Sequence, residues 1–162
     1  MNELPLDAMD LQILAQLQRD ASLSNQDLAL AVHTSAATCL RRIKRLREAG
    51  LIERQIAILN PEKLAQSLGH GLTAIVEITL DRQSAEDLAG FEARVRTEPA
   101  VQQCYRVSPG PDFVLVVHAA HMPDYQALTQ RLFASDANVR NVKAFFSIQR
   151  SKFGAELPLV SA

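Results

Sequence analysis

The spacing of apolar residues changes near residue 70, and this change limits most strongly how the chain can fold. From Leu72 to Leu80 every second residue is apolar, which predicts a half-buried strand. A helix, two strands, a second helix and a last strand are then predicted at 84–98, 101–107, 113–119, 124–134 and 142–148. The resulting order, β-α-β-β-α-β, predicts a ferredoxin-like α+β fold, in which two helices cover one face of an antiparallel sheet.

The first 50 residues have helical spacing instead and are predicted to form three short helices. Each has a side chain suited to cap its start: Asp7, Ser24 and Ser35. Gly50 stands where a helix favours a left-handed residue after its end. Two short helices joined by a tight turn, with the second longer and basic, predict a helix-turn-helix.

The third predicted helix concentrates positive charge in a chain that is nearly neutral. Five of the seven residues from 41 to 47 are Arg or Lys, whereas the formal net charge of the 162 residues is -1. At 100° per residue the apolar side chains share one stripe, and Thr38 shares another with the arginines at 41, 42 and 45. Most charge runs are solvated faces, but the capped helices before this one and the small residues at its start favour entry into a DNA major groove.

Roles in DNA binding follow from position along this helix. Residues near its start are predicted to reach base edges: Ser35, Ala37, Thr38 and Arg41. Residues one turn later are predicted to bind phosphate, with Lys44 at the flank: Arg42, Arg45 and Lys44. Residues 51–55 and 56–59 are predicted to be a pair of short strands, the wing of a winged helix-turn-helix. The predicted domains are 1–60 for DNA binding, a linker at 61–71, and 72–162 for the ferredoxin-like part.

The second half contains no arrangement typical of a catalytic or metal site. Its histidines do not have metal-ligand spacing, and the two cysteines of the chain, Cys39 and Cys104, lie far apart. No apolar run approaches a membrane span, so a cytoplasmic protein without a cofactor is expected. The turn from Val107 to Phe113 has two interpretations of equal weight: a plain β-turn, or a loop whose amides and Asp112 hold a small zwitterion.

The chain resembles the Lrp/AsnC (leucine-responsive and asparagine-regulator) family of transcription factors. The resemblance rests on LDAMDLQILAQLQRDASLSNQDLALAV, SAATCLRRIKRLREAGLIERQIAIL and CYRVSPGPDFVLVV. It implies homodimers formed by back-to-back sheets, assembly into tetramers or octamers, and an amino-acid effector bound between dimers. The positions that match the family's effector loop are Ser108, Gly110 and Asp112. Pro109 replaces the loop's usual glycine, and proline removes an amide donor.

Two other functions remain open at this stage. Some haem-biosynthesis decarboxylases share this two-part architecture, and Arg106, His118 and His121 offer groups for a tetrapyrrole carboxylate. An enzyme, however, has no use for the basic helix. A nucleoid-like DNA organiser shares that helix but lacks a preferred site. The prediction is therefore an oligomeric regulator that binds double-stranded DNA, has no membrane partner and is modulated by an amino acid.

Overall fold

Three short helices form the N-terminal part, and each begins at the predicted cap. The computed structural model describes residues 5–68 and 71–159. The helices are α1 (Ala8–Arg19), α2 (Asn25–Ala31) and α3 (Ala36–Glu48). Asp7, Ser24 and Ser35 each accept a hydrogen bond from the backbone N–H three residues later. The three predicted caps are confirmed, and Asp7 and Asp10 form a reciprocal capping box.

The turn between α2 and α3 is closed by backbone hydrogen bonds. His33 is left-handed, with φ of 53°, and the N–H of Thr34 donates to the carbonyl of Ala29 at 2.9 Å. This is the hydrogen-bond pattern of a Schellman motif, which ends a helix sharply. The Nδ2 amide of Asn25 also donates to the carbonyl of Ala36 at 2.8 Å. The starts of α2 and α3 are therefore joined directly, which fixes the angle between the two helices.

The helices of the N-terminal part pack around one apolar core. Its fully or nearly buried members are Ile13, Leu28, Ala29, Val32, Cys39, Ile43 and Leu46, each 8% exposed or less. The predicted inward stripe of α3 at Cys39, Ile43 and Leu46 is confirmed. Burial of a side chain such as Leu46 contributes about 1.5–3 kcal/mol. The same contacts decide which side of α3 faces outward.

The residues after α3 do not form the predicted pair of strands. Gly50 ends α3 in the left-handed conformation, with φ of 73°, as expected. Residues 53–59 are exposed and have no assigned strand, and no backbone hydrogen bond joins them to another residue of the described chain. A strand exists only where a neighbouring strand supplies hydrogen bonds, and no such strand lies beside residues 53–59 in the described part of the chain. The strand prediction at 51–59 is therefore wrong for this structure.

The segment predicted as a linker at 61–71 contains a helix, α4 (Pro61–Leu68). Asn60 accepts a hydrogen bond from the backbone N–H of Lys63 at 3.1 Å, and proline is well suited to the first helical position. Two residues of this predicted linker, the glycine and histidine at 69 and 70, lie outside the described residues. The linker was predicted from its glycines. That prediction overlooked Asn60 and Pro61, which together start a helix.

The C-terminal part is a four-stranded antiparallel sheet with the order β2-β3-β1-β4. The strands are β1 (Leu72–Leu80), β2 (Val101–Arg106), β3 (Phe113–Ala119) and β4 (Val139–Phe146). Helices α5 (Ala85–Arg96) and α6 (Met122–Thr129) complete the predicted β-α-β-β-α-β order, and a π-helical turn, Gln130–Ala134, extends α6. The last strand begins three residues earlier than predicted, because Val139 pairs with Leu80 across a β-bulge.

One face of the sheet is packed against the helices. Alternate residues of β1 and β3 are buried, among them Val76, Ile78, Phe113 and Leu115, each fully buried. Phe91 of α5 stacks on Phe113, with ring centroids 4.7 Å apart. The opposite residues of the same strands, such as Ile75, lie on a face that no helix of the described chain covers. We call it the open face.

The chain divides into two compact units, one within Met1–Ile58 and Lys152–Ala162, the other within Leu59–Ser151. These differ from the predicted boundaries, because α4 belongs with the sheet and the last segment with the helix-turn-helix. Gln18 of α1 explains the second difference. Its side-chain amide donates to the carbonyl of Leu157 at 3.1 Å and accepts from the N–H of Leu157 at 2.7 Å.

Candidate nucleic-acid interface and effector site

The outer face of α3 carries four exposed side chains at positions i, i+3, i+4 and i+7: Ala37, Leu40, Arg41 and Lys44. The side chain of Arg41 has no hydrogen bond or ion pair with any residue in the described part of the chain. Among the described residues Lys44 pairs only with Glu48, at 3.7 Å, and both side chains are at least 66% exposed. Such a surface pair contributes little to stability, so the charges of Arg41 and Lys44 are available to a partner.

Arg42 and Arg45 have internal partners instead. The Nη1 of Arg42 donates to Asp10 at 2.8 Å and to Asp7 at 2.7 Å, and Arg45 donates to the other carboxylate oxygen of Asp10. Asp10 is completely buried, and the Arg42 side chain is only 21% exposed. These four residues, Asp7, Asp10, Arg42 and Arg45, form a charged cluster between α1 and α3, which we call the Asp10 cluster.

The electrostatics of the Asp10 cluster keep Asp7 and Arg42 charged. The backbone N–H of Asp10 and then the guanidinium of Arg42 hold the pKa of Asp7 below its usual value. The carboxylate of Asp10, which has the larger effect, and that of Asp7 both raise the pKa of Arg42. Opposite charges close together favour the ionised form of both groups, so neither residue loses its charge near neutral pH.

The predicted placement of Arg42 on the outward stripe is therefore wrong. Angular spacing predicts Arg42 on the same side of α3 as Thr38 and Arg45. In the folded chain the Arg42 side chain instead binds Asp7 and Asp10 at the start of α1. The cause is Asp10, whose burial is acceptable only because two guanidinium groups neutralise it and bind its oxygens. Arg45 has the same partner while 42% of its side chain remains exposed. Its binding to phosphate remains a prediction.

Ser35 and Thr38, predicted to reach base edges, have roles in the cap of α3. The hydroxyl of Ser35 accepts from the backbone N–H of Thr38 at 3.2 Å and donates to its hydroxyl at 2.9 Å. The Thr38 side chain is half-buried, whereas Ser35 and Ala37 are exposed. Leu40, missed by the sequence reasoning, is 59% exposed. Its position outside the buried stripe, about 90° further round the helix, was the available signal.

The effector positions predicted at Ser108, Gly110 and Asp112 lie in the turn between β2 and β3. Gly110 has φ of 120°, a conformation that favours glycine, and Ser108 is exposed. One carboxylate oxygen of Asp112 accepts from the backbone N–H of Leu80 at 2.6 Å. This oxygen therefore holds the end of β1 against the turn. An effector-binding role for the three residues remains a prediction.

Two clefts of the sheet unit, both formed by described residues, are not lined by this turn. The larger, of about 370 Å³, lies between α6 with its π-helical turn and β4. Its walls include Tyr125, Phe133, Val142 and Ala144, with Arg140 among the polar residues. Arg140 is the extra residue of the β-bulge, and its Nε lies 3.9 Å from an oxygen of Asp81, both side chains being mainly exposed. We call this the β4 cleft.

The residues considered for a tetrapyrrole carboxylate have separate partners. The Nδ1 of His118 is 3.2 Å from the hydroxyl of Thr73, and Arg106 binds Glu92 at 2.8 Å. His121 caps α6 and lies 2.9 Å from the carboxylate of Asp124. Nothing in these contacts joins the three side chains in one site.

Residues 5–68 and 71–159 contain neither a side-chain group suited to a metal ion nor a helix suited to cross a membrane. No group of three or more His, Cys, Asp or Glu side chains is arranged to hold a metal ion there. Over the same residues, no helix combines the length and apolar character needed to cross a membrane.

A helix-turn-helix with a basic outer face, on one chain with an antiparallel α+β unit, defines a DNA-binding regulator with a ligand-binding unit. Comparison with known families supports this class. The model of the winged helix-turn-helix DNA-binding family matches residues 6–53, and that of the Lrp/AsnC ligand binding domain matches residues 73–157. The chain belongs to the Lrp/AsnC family of transcriptional regulators.

Several relatives match almost the whole chain. A leucine-responsive regulatory protein of Rhizobium meliloti is 34% identical over 95% of this chain and 96% of its own length. The DNA-binding transcriptional activator DecR of Escherichia coli is also 34% identical, over 95% and 99%.

Two solved structures share the fold. An AsnC family transcriptional regulator from Agrobacterium tumefaciens has a TM-score of 0.83 at 34% identity, covering 95% of this chain and 97% of its own. A transcriptional regulator from Neisseria meningitidis in complex with L-Met also has a TM-score of 0.83, at 30% identity over 96% and 97%.

Proposed function

We propose that the protein is a sequence-specific regulator of transcription that binds double-stranded DNA through the outer face of α3. The observation that carries this proposal is the contrast between basic residues on one helix. Arg41 and Lys44 are exposed and have no strong partner among residues 5–68 and 71–159, while Arg42 is held internally. A positive charge without a partner on the second helix of a helix-turn-helix is suited to a phosphate or to the O6 and N7 atoms of guanine.

Selection of duplexes from a random pool tests this proposal and separates it from a nucleoid-like organiser. We expect the full chain to enrich a discrete sequence and to bind it about 10³-fold or more tightly than random duplex at the same salt concentration. The measurement is a fluorescence titration with both duplexes. Equal affinity for selected and random DNA would instead support the organiser.

We further propose that two copies pair through the open face of the sheet. Its centre is apolar: Ile75 is 44% exposed, Phe145 is 46% exposed and Tyr105 is 53% exposed. Ile75 lies beside Phe145 on one side and Val116 on the other. The ion pair of Glu77 and Lys143, at 4.0 Å, lies on the same face. An uncovered apolar sheet face on an α+β unit is typical of an interface, and a dimer places two copies of α3 for two half-sites.

An amino acid with an apolar side chain is the effector that the β4 cleft suits best. The aromatic and aliphatic walls provide burial for its side chain, and the guanidinium of Arg140 is weakly paired and suited to its carboxylate. The relative from Neisseria meningitidis was solved with L-Met, a ligand of this chemistry. An effector changes the assembly only if it binds one state of the protein more tightly than another.

One sedimentation experiment on the full chain tests the dimer and the effector together. We expect a dimer or larger species, which Ile75→Lys converts to a monomer because it places a charge in the interface. Ile148→Lys, at a fully exposed isoleucine, is the matched control. The common amino acids are then added one at a time, and at least one apolar amino acid should shift the distribution of oligomeric species of the native chain. The shift should be smaller in Arg140→Gln than in the control variant Arg96→Gln. An identical profile with every amino acid would exclude this effector role.

A further inference from the structure

We infer that Leu40 is a specificity-determining residue that contacts the 5-methyl group of thymine in the major groove; this rests on the proposed DNA binding by α3. A single exposed leucine is ordinary on a protein surface. Leu40 differs because of its location, 59% exposed on the outer face of α3 between Ala37 and Lys44. It lies on the helix that a helix-turn-helix inserts into the groove.

The apolar core of the N-terminal unit does not account for Leu40. The residues of α3 that bury themselves against α1 and α2 are Cys39, Ile43 and Leu46, which are 0%, 8% and 0% exposed. Leu40 lies outside this stripe and is 59% exposed. Burying a leucine contributes about 1.5–3 kcal/mol that this location largely does not use. The free chain therefore leaves this apolar side chain for a partner to cover.

The charges around Leu40 indicate which partner that is. Arg41 follows it directly and Lys44 lies one turn further on, both exposed. A polyanion is attracted to such a surface, whereas an apolar partner would leave both charges without water. In the DNA major groove the 5-methyl group of thymine is the apolar feature of the base edges, and apolar side chains recognise it by contact. The positive charges and the apolar side chain together thus favour thymine opposite Leu40.

Replacement of thymine by deoxyuridine in the selected duplex tests this inference, because it removes only the methyl group. Each thymine is replaced in turn, and the affinity of the full chain is measured at constant salt. Burial of one methyl group corresponds to about a fourfold change in affinity. We expect the affinity of the native chain to fall about fourfold when one or more thymines in each half-site are replaced. The affinity of Leu40→Ala should not change at those positions.

Two further variants make the result interpretable. Leu40→Met keeps an apolar side chain of similar size and should retain the methyl dependence. Leu30→Ala removes another exposed leucine of the same unit, 73% exposed on α2, and should behave as the native chain. The same methyl penalty in Leu40→Ala and the native chain, or no penalty at any thymine, would overturn the role of Leu40. A native chain that binds no duplex would overturn the proposed function itself.

Discussion

Asp10→Asn is expected to lower the free energy of unfolding of the helix-turn-helix by about 3–5 kcal/mol, because it removes the charge that two guanidinium groups surround. Asp10 is completely buried and binds Arg42 and Arg45. Asparagine keeps one oxygen to accept the N–H of Asp7, so the capping box survives in part. The main loss is electrostatic: the two arginines are left partly buried beside a neutral group.

Hydrogen exchange of the full chain measures this change in α1 and α3 separately from the sheet unit, so it does not require the two units to unfold together. Asp27→Asn is the matched control, since Asp27 is an exposed carboxylate at the third position of α2, bonded to Ser24. Asp27→Asn should lower the free energy of unfolding by about 1 kcal/mol or less. Equal protection in Asp10→Asn and the native chain would mean that the Asp10 cluster does not stabilise the contact between α1 and α3.

The double variant Arg41→Gln with Lys44→Gln is expected to weaken binding to selected DNA by about 100-fold at 0.1 M salt. It should also reduce the slope of log affinity against log salt by about 0.9 for each phosphate contact that is lost. Both side chains are exposed, and neither has a strong partner in the described chain, so their removal leaves the fold unchanged. Binding titrations at four or more salt concentrations provide both quantities.

Arg42→Gln separates a role in DNA binding from a role in the fold. Arg42 donates to both Asp7 and Asp10 and is only 21% exposed. We expect this variant to be less stable, yet to keep the salt slope of the native chain when measured at a temperature where it remains folded. If the salt slope fell as much as in the Arg41 and Lys44 double variant, Arg42 would bind a DNA phosphate. This result would contradict a role limited to binding Asp7 and Asp10.

Much of the fold could be predicted because the signals lie close together in the sequence. The caps at Asp7, Ser24 and Ser35 are decided by hydrogen bonds over three residues, and Gly50 by the conformation of one residue. The order of strands and helices after Leu72 follows from apolar spacing. The Asn60 cap of α4 was equally local and was missed because nearby glycines suggested a linker.

The sites depended more on contacts between distant residues. Angular spacing placed Cys39, Ile43 and Leu46 inside correctly, because a helix buries whichever stripe is apolar. Angular spacing also placed Arg42 outside, which was wrong. No residue near Arg42 in the sequence indicates that its guanidinium binds the carboxylate of Asp10. The β4 cleft also was not predicted, since the β-bulge at Arg140 and the π-helical turn arise from pairing and packing across the sheet unit.

The sequence by itself therefore determined the two-part architecture, the helix caps, the buried side of α3 and the resemblance to the Lrp/AsnC family. Each depends on neighbours in the chain or on a repeating pattern. Only the tertiary structure decided which basic residues of α3 have ion-pair partners on α1. The physical reason is that a buried carboxylate on α1 must be neutralised, and the guanidinium groups nearest to it, those of Arg42 and Arg45, are drawn inward while Arg41 and Lys44 stay exposed.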